Sequence, residues 1–293
     1  MIQHISLSHI LTDYEPKEES EMRNQLTLTL FILIIAVTFC SIAVANLQNG
    51  LIVYYPFDES NGKTASDNSK NNNDGELLGS AAWAPNEGKI DGAARFDGGE
   101  GSVVDDNGAD YINGLEAFSI SVWVKSDSVG HDRGIVFAID PTGGDNIFGL
   151  RYDAASWSTK GGTNLIKGAI TTTGGGQAYE GKSEVQITEW QHLVFTWKSG
   201  EKLALYINAE LDDDPTHNDA AVEGSISGAT KFIVGKGAKD NNGTSWTGLI
   251  DEVRIYDRVL SDGEIAELAT GVLPVEPAGK ITTTWGNIKQ KLH

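Results

Sequence analysis

The sequence predicts an all-β protein, an antiparallel sandwich ending in one short C-terminal helix, and three observations carry that expectation. Glycine contributes 34 of 293 residues without a collagen period, which suits a turn-rich chain rather than a fibre. From Leu51 onward, apolar runs of strand length alternate with clusters of Gly, Asn, Asp and Ser, the punctuation of antiparallel strands. The clearest run, Phe118–Val124, sets Phe118, Ile120, Val122 and Val124 on one side and Ser119, Ser121 and Trp123 on the other. Period two means a strand with one face in a core.

The N-terminal region does not belong to that pattern. Leu26–Val44 is the one strongly apolar stretch of the chain, follows Met22-Arg23-Asn24-Gln25 and ends in Ala43-Val44-Ala45. A basic start, an apolar centre and small residues at the end make residues 22–45 a secretory signal peptide. A retained membrane anchor is the alternative, since the stretch is long enough to span a bilayer. Residues 1–21 are polar and acidic and read as an extension upstream of a start at Met22. The single cysteine, Cys40, falls inside the apolar stretch, so the remainder has no disulfide framework. A formal net charge of -19 repels polyanions and excludes nucleic acid as a partner.

Gln191–Trp197 alternates and is followed, after Lys198–Lys202, by Leu203–Ile207, a β-hairpin pattern. Phe232–Gly235 and Leu249–Tyr256 supply two more strands. Regular alternation in the second places Ile250, Glu252, Arg254 and Tyr256 on one face and Leu249, Asp251, Val253 and Ile255 on the other. Asp251 then shares an apolar face, where a carboxylate is costly unless something pairs with it. Ser261-Asp262-Gly263-Glu264 is a capping box ahead of Ile265 and Leu268, with Gly271 as the stop. Residues 272–293, broken by Pro274 and Pro277 and locally basic at the end, form a separate tail. The main domain is therefore 46–271.

Seven pieces in order carry a family resemblance: Tyr55–Glu59, Asp74-Gly75, Gly92–Gly98, Phe118–Lys125, Glu189–Trp197, Leu205–Asn208 and Gly248–Ser261. Together they resemble the LamG-like jelly-roll domain of the concanavalin A-like lectin/glucanase superfamily over roughly Leu51–Gly271. The chain departs from that pattern in an extended Gly- and Thr-rich stretch, Ser126–Glu189, and in Ala209, where the family usually turns on Gly. The resemblance implies a concanavalin A-like jelly roll and, often, a structural Ca²⁺. A cation of that kind wants six to eight oxygen ligands. Asp58 and Asp251, on first and last strands that tend to be neighbours, with Asp67 and Asp74 of the Asn-rich loop, are the candidate ligands. A salt bridge from Asp251 to Arg95 or Arg254 is the competing reading.

Sugar recognition calls for flat rings flanked by polar groups. Tyr152, Trp157, Tyr179 and Trp246 lie in polar, Gly-rich surroundings that suit exposure on loops, with packing into the core as the competing reading, whereas Trp123, Trp190 and Trp197 sit in strand patterns and read as core. Asp212-Asp213-Asp214 reads as a solvated turn and His192 as a structural hydrogen-bonding residue. The glucanases of the superfamily carry two carboxylates on one face of a strand. A Glu-x-Asp-x-x-Glu arrangement is absent, and adjacent Asp251 and Glu252 face opposite sides of a regular strand. The reading is an exported, non-enzymatic module, secreted or at the cell surface, that binds carbohydrate or an extracellular glycoconjugate. A glycan-processing hydrolase and a protein-binding adhesin are the alternatives, and membrane association follows only if the N-terminal segment is retained.

Overall fold

The computed structural model describes residues 47–139, 146–155, 161–213, 220–237 and 244–271. The apolar stretch 26–44, the tail 272–293, Trp157 and Asp214 lie outside them. Among the described residues no helix is long and apolar enough to cross a membrane.

Two eight-stranded antiparallel sheets form the sandwich. With strands numbered in chain order, sheet A runs β14 (Glu210–Leu211), β13 (Ala204–Ile207), β12 (Gln191–Lys198), β7 (Ala117–Ser126), β16 (Thr247–Tyr256), β5 (Ala94–Asp97) and β4 (Ala82–Trp83). Strand β1 (Leu51–Tyr55) also pairs with β16. Sheet B runs β11 (Gly175–Glu180), β10 (Thr163–Thr172), β9 (Asn146–Ala155), β8 (Arg133–Ile139), β15 (Lys231–Val234), β6 (Ser102–Asp105), β3 (Gly75–Leu78) and β2 (Thr64–Ala65). The Gly- and Thr-rich stretch thus supplies four strands of sheet B. Its glycines are packing devices: a Cβ on Gly168 would collide with the Phe195 ring from the facing sheet, so glycine lets the two layers touch.

The core between the sheets collects the residues that alternation selected, including Phe118, Ile120, Val122, Leu193 and Phe195, all fully buried. Burying side chains of this size contributes about 1.5–3 kcal/mol each. Outside sheet A, Leu260, Ile265 and Leu268 pack on Val194 and Tyr256. They belong to helix α2 (Asp262–Leu268) and its approach, and the expected capping box is present: Ser261 accepts from Glu264 N and Glu264 reaches back to Ser261 N. A five-residue helix α1 (Gly108–Ile112) is an addition, too short to leave a periodicity.

Strand β16 differs from its expected alternation. Its first half pairs with β5 and its second with β1, and the register against β7 shifts between Asp251 and Arg254, with Glu252 at φ 56°. This is a β-bulge, one extra residue that reverses the phase of everything after it. Ile250, Val253 and Ile255 therefore share the inter-sheet core, while Leu249, Asp251, Glu252, Arg254 and Tyr256 lie on the outer face.

The β13–β14 connection turns on Asn208 (φ 52°) and Ala209 (φ 67°), the two left-handed positions of a type I′ hairpin. Alanine pays there for its Cβ. Ala209→Gly is expected to raise stability by about 0.5–1 kcal/mol, read as a higher Tm; an unchanged or lower Tm contradicts the assignment of strain.

Candidate functional site

That hairpin forms one wall of an open cleft of about 330 Å3 lined by Lys182, Val185, Ile207, Asn208, Glu210, Leu211 and Asp212. The other wall is the segment leaving β11. Asp212 joins the walls: its Oδ2 accepts from Lys182 N at 2.9 Å, and its carbonyl accepts from the Tyr179 hydroxyl. Gly181 is required at this junction, because a Cβ would strike Asp212 Oδ2. Lys182 Nζ lies 2.7 Å from Asp213 Oδ1. Lys182 thus ties to both acids across the cleft; Asp213 is exposed, as a solvated turn requires, whereas Asp212 is buried. The lining combines an amide, carboxylates and an ammonium with the apolar Val185, Ile207 and half-exposed Leu211. Such a surface can hydrogen-bond hydroxyl rims while covering an apolar ring face.

The cleft was not anticipated. Its local signal is Asn208-Ala209 between apolar strands, followed immediately by Glu210 and Asp212, which marks a polar hairpin edge. The expected aromatic platforms are corrected. Tyr152, Tyr179 and Trp246 are all in the core cluster. Tyr152 donates to Gln191 Oε1 at 2.7 Å and meets Trp246 edge to face at 5.1 Å, and Trp246 Nε1 donates to Leu249 O. Rings packed this way offer no face to a sugar. The glycines near Tyr152 and Tyr179, such as Gly149 and Gly168, lie within strands rather than loops, whereas Trp246 does precede β16 in a loop and turns its ring into the core.

The four aspartates of the expected metal site do not all come together. Asp67 Oδ1 accepts from Tyr54 N and Ser69 N, and its Oδ2 from Ser69 Oγ and Asn73 N; Asp74 Oδ1 accepts from Asp67 N. Asn71 and Asn73 amides donate to Ile52 O. The Asn-rich loop covers the outer edge of β1, and its acids are spent on that task. Asp58 and Asp251 do meet one feature, the turn between β4 and β5, at the seam where β16 changes partner. Asp58 Oδ1 accepts from Gly92 N at 2.9 Å and Asp251 Oδ2 from Ile90 N at 3.0 Å.

Asp251 is fully buried, its Oδ1 has no hydrogen-bond partner, and burial pushes its carboxyl up to about 8. Arg95 pairs instead with Asp127 and Arg254 with Glu252. The orphan oxygen suits a proton or a cation, but among the described residues no three His, Cys, Asp or Glu side chains converge as a cation site. This donor set falls short of calcium's six to eight oxygens. Melting in calcium and in chelator is therefore expected to coincide; a calcium-dependent rise in Tm would restore the metal.

Around the bulge, Glu252 accepts from Tyr54 Oη at 2.9 Å and pairs with Arg254. Arg254 in turn stacks over the Tyr54 ring at 4.0 Å. His192 Nε2 meets Ser121 Oγ at 2.9 Å, the structural bond expected of it, and burial, with Arg254 and Lys89 nearby, lowers its pKa to about 3. Trp123 packs on His192 at 5.1 Å between ring centres, and its Nε1 donates to Leu268 O. Asp251 and Glu252 share the outer face, so their expected separation does not hold, yet both are buried.

A family model described as the concanavalin A-like lectin/glucanases superfamily matches residues 96–266. Domain 4 of an extracellular arabinanase from Geobacillus stearothermophilus, solved with arabinotriose, is similar at a TM-score of 0.54 and 23% identity, covering 75% of this chain and 98% of that one. The binding domain of Paraclostridial Mosquitocidal Protein 1 gives 0.56 and 17%, covering 76% and 52%. Trypanosoma rangeli sialidase gives 0.54 and 19%, covering 75% and 32%. A rat protein named for its sushi, von Willebrand factor type A, EGF and pentraxin domains is 27% identical over 163 residues, 53% of this chain. The chain spans 4% of that relative's length.

Proposed function

The chain belongs to the concanavalin A-like lectin/glucanases superfamily, and from that premise we propose that it is an exported, non-catalytic module that binds carbohydrate in the cleft beside β14. The observation that carries the reading is the lining itself, in which Asn208, Glu210 and Asp212 surround the apolar Val185, Ile207 and Leu211. The arabinanase domain solved with arabinotriose, which this fold covers almost entirely, supports a glycan as the ligand class. Glu210 and a formal charge of -19 favour neutral over anionic sugars. The non-catalytic part is supported by the burial of Asp251 and Glu252 beneath the outer layer of sheet A, where no glycosidic bond reaches them. Export rests on the signal-peptide pattern of residues 22–45.

A glycan array with the full chain tests this. Saturable binding to neutral glycans is expected, with Asn208→Ala and Glu210→Ala each weakening it by about tenfold or more, the loss of one or two hydrogen bonds. Absence of glycan binding, or affinity unchanged in both variants, overturns the proposal. Release of reducing ends from the bound glycan would make the chain a hydrolase instead.

A further inference from the structure

We propose that Lys167 and Asp153 condense into an intramolecular amide cross-link between β10 and β9, with Glu180 of β11 transferring the protons. The inference is independent of the glycan cleft and rests on a second cluster, on the face of sheet B turned away from the core. The strand register sets Lys167 opposite Arg151 on one side and Glu180 on the other, with Asp153 two residues along from Arg151. Lys167 Nζ lies 3.1 Å from Asp153 Oδ2, 3.1 Å from Glu180 Oε1 and 2.8 Å from Ala155 O. Lys167, Asp153 and Glu180 are only 1%, 2% and 5% exposed. A nucleophilic nitrogen, a carboxyl electrophile and a second carboxylate are thus held together in a dry layer.

Three features favour condensation. Desolvated charges are unfavourable, and forming the amide removes one cation and one anion from the layer. Burial raises the Asp153 carboxyl above its ordinary value, toward the acid form that can lose its hydroxyl. Arg151 Nη2, 2.6 Å from Asp153 Oδ2, stands where negative charge builds on the tetrahedral intermediate. Groups fixed this way react at effective concentrations of about 10⁵–10⁸ M, enough to drive amide formation that dilute amine and acid do not undergo in water.

In the reaction, a proton first passes from the Lys167 ammonium to the Asp153 carboxylate, giving amine and acid. The nitrogen lone pair attacks Asp153 Cγ and the N–C bond forms. Glu180 takes a second proton from the nitrogen and delivers it to the departing hydroxyl, the C–O bond breaks, and water leaves. The balance requires no oxidant and no cofactor.

Tryptic mapping of the full chain tests the proposal. The expected product is a branched peptide joining Tyr152–Lys160 to Gly161–Lys182, uncleaved at Lys167 and lighter than the two linear peptides by one water. Lys167→Arg and Glu180→Gln are expected to lack it. Asp153→Asn, which loses ammonia instead of water, is expected to restore the same branched product and guards against reading a folding defect as lost chemistry. Recovery of Gly161–Lys167 and Gly168–Lys182 as separate linear peptides from the wild-type chain overturns the cross-link and leaves an ion-pair network. A branched peptide undiminished in Glu180→Gln overturns the role of Glu180.

Discussion

Arg254→Met is expected to remove about 3–5 kcal/mol of folding stability, the typical cost of stranding one member of a buried ion pair. Glu252, 1% exposed, would keep the Tyr54 hydroxyl as a partner but lose the guanidinium. The stacking of Arg254 on Tyr54 would go as well. Urea denaturation measures the loss as a lower midpoint at unchanged slope. Glu252→Gln in the same chain is expected to return part of it, because a neutral amide needs no counter-charge. A single-variant loss below about 1 kcal/mol, the range of exposed pairs, would mean that the pair is hydrated and that the outer layer of sheet A is open to water.

The second large effect is a pH dependence centred on Asp251. Its folded pKa of about 8 lies above the ordinary 3.8, so the folded state holds a proton that the unfolded chain releases. Stability from this group is fully present below about 3.8 and is lost as pH rises to about 8. His192 acts in the opposite sense: lowered to about 3 from an ordinary 6.5, it adds stability between those values as pH rises. The two trends oppose each other through the acidic range, and Asp251 acts alone from about 6.5 to 8. The cleanest observable is the difference between wild type and Asp251→Asn. Asparagine cannot ionise, and the variant is expected to gain on the wild type by up to about 1.4 kcal/mol per pH unit within that window. A difference independent of pH would show that Oδ1 is solvated or paired.

The parts of the molecule legible in the sequence are those set by local periodicity. Phe118–Val124 and Gln191–Ile207 announce their strands because one face of each meets the core and the alternation is unbroken. Ser261 and Glu264 announce α2 because a capping box needs two residues at a fixed spacing. The outer sheet is harder to read for a physical reason: Gly168 packs under Phe195, and a glycine that admits a facing ring looks in sequence like a glycine that makes a loop. The same ambiguity makes Tyr152 and Tyr179 look like surface residues when both are buried. Glu252 is harder still. A glutamate in left-handed conformation carries no compositional mark, yet it alone decides that Val253 and Ile255 enter the core and Arg254 does not.

The candidate chemistry was legible only in fragments. Asp251 stood out as a carboxylate among apolar neighbours, and the structure does leave it without a full set of partners. Lys167, between Ile166 and Gly168 in an apolar run, carried a comparable mark that becomes meaningful only once Asp153 and Glu180 arrive from adjacent strands. The cleft beside β14 depends on the meeting of Lys182 and Asp212, 30 positions apart in sequence, a closure no local pattern encodes.

The short outer strands bear on how copies of this protein coexist. At the path ends of the two sheets, β14, β4 and β2 each offer two residues of main chain, too little for a neighbouring molecule to template upon. The flank of β1 is sheathed by asparagine and aspartate side chains. Among the described residues the remaining outer strand, β11 (Gly175–Glu180), is longer, but it begins with two glycines that hold alignment poorly, and its Gln177, Tyr179 and Glu180 are already engaged. Among the described residues, fibrillar accretion is thus given little open main chain from which to start.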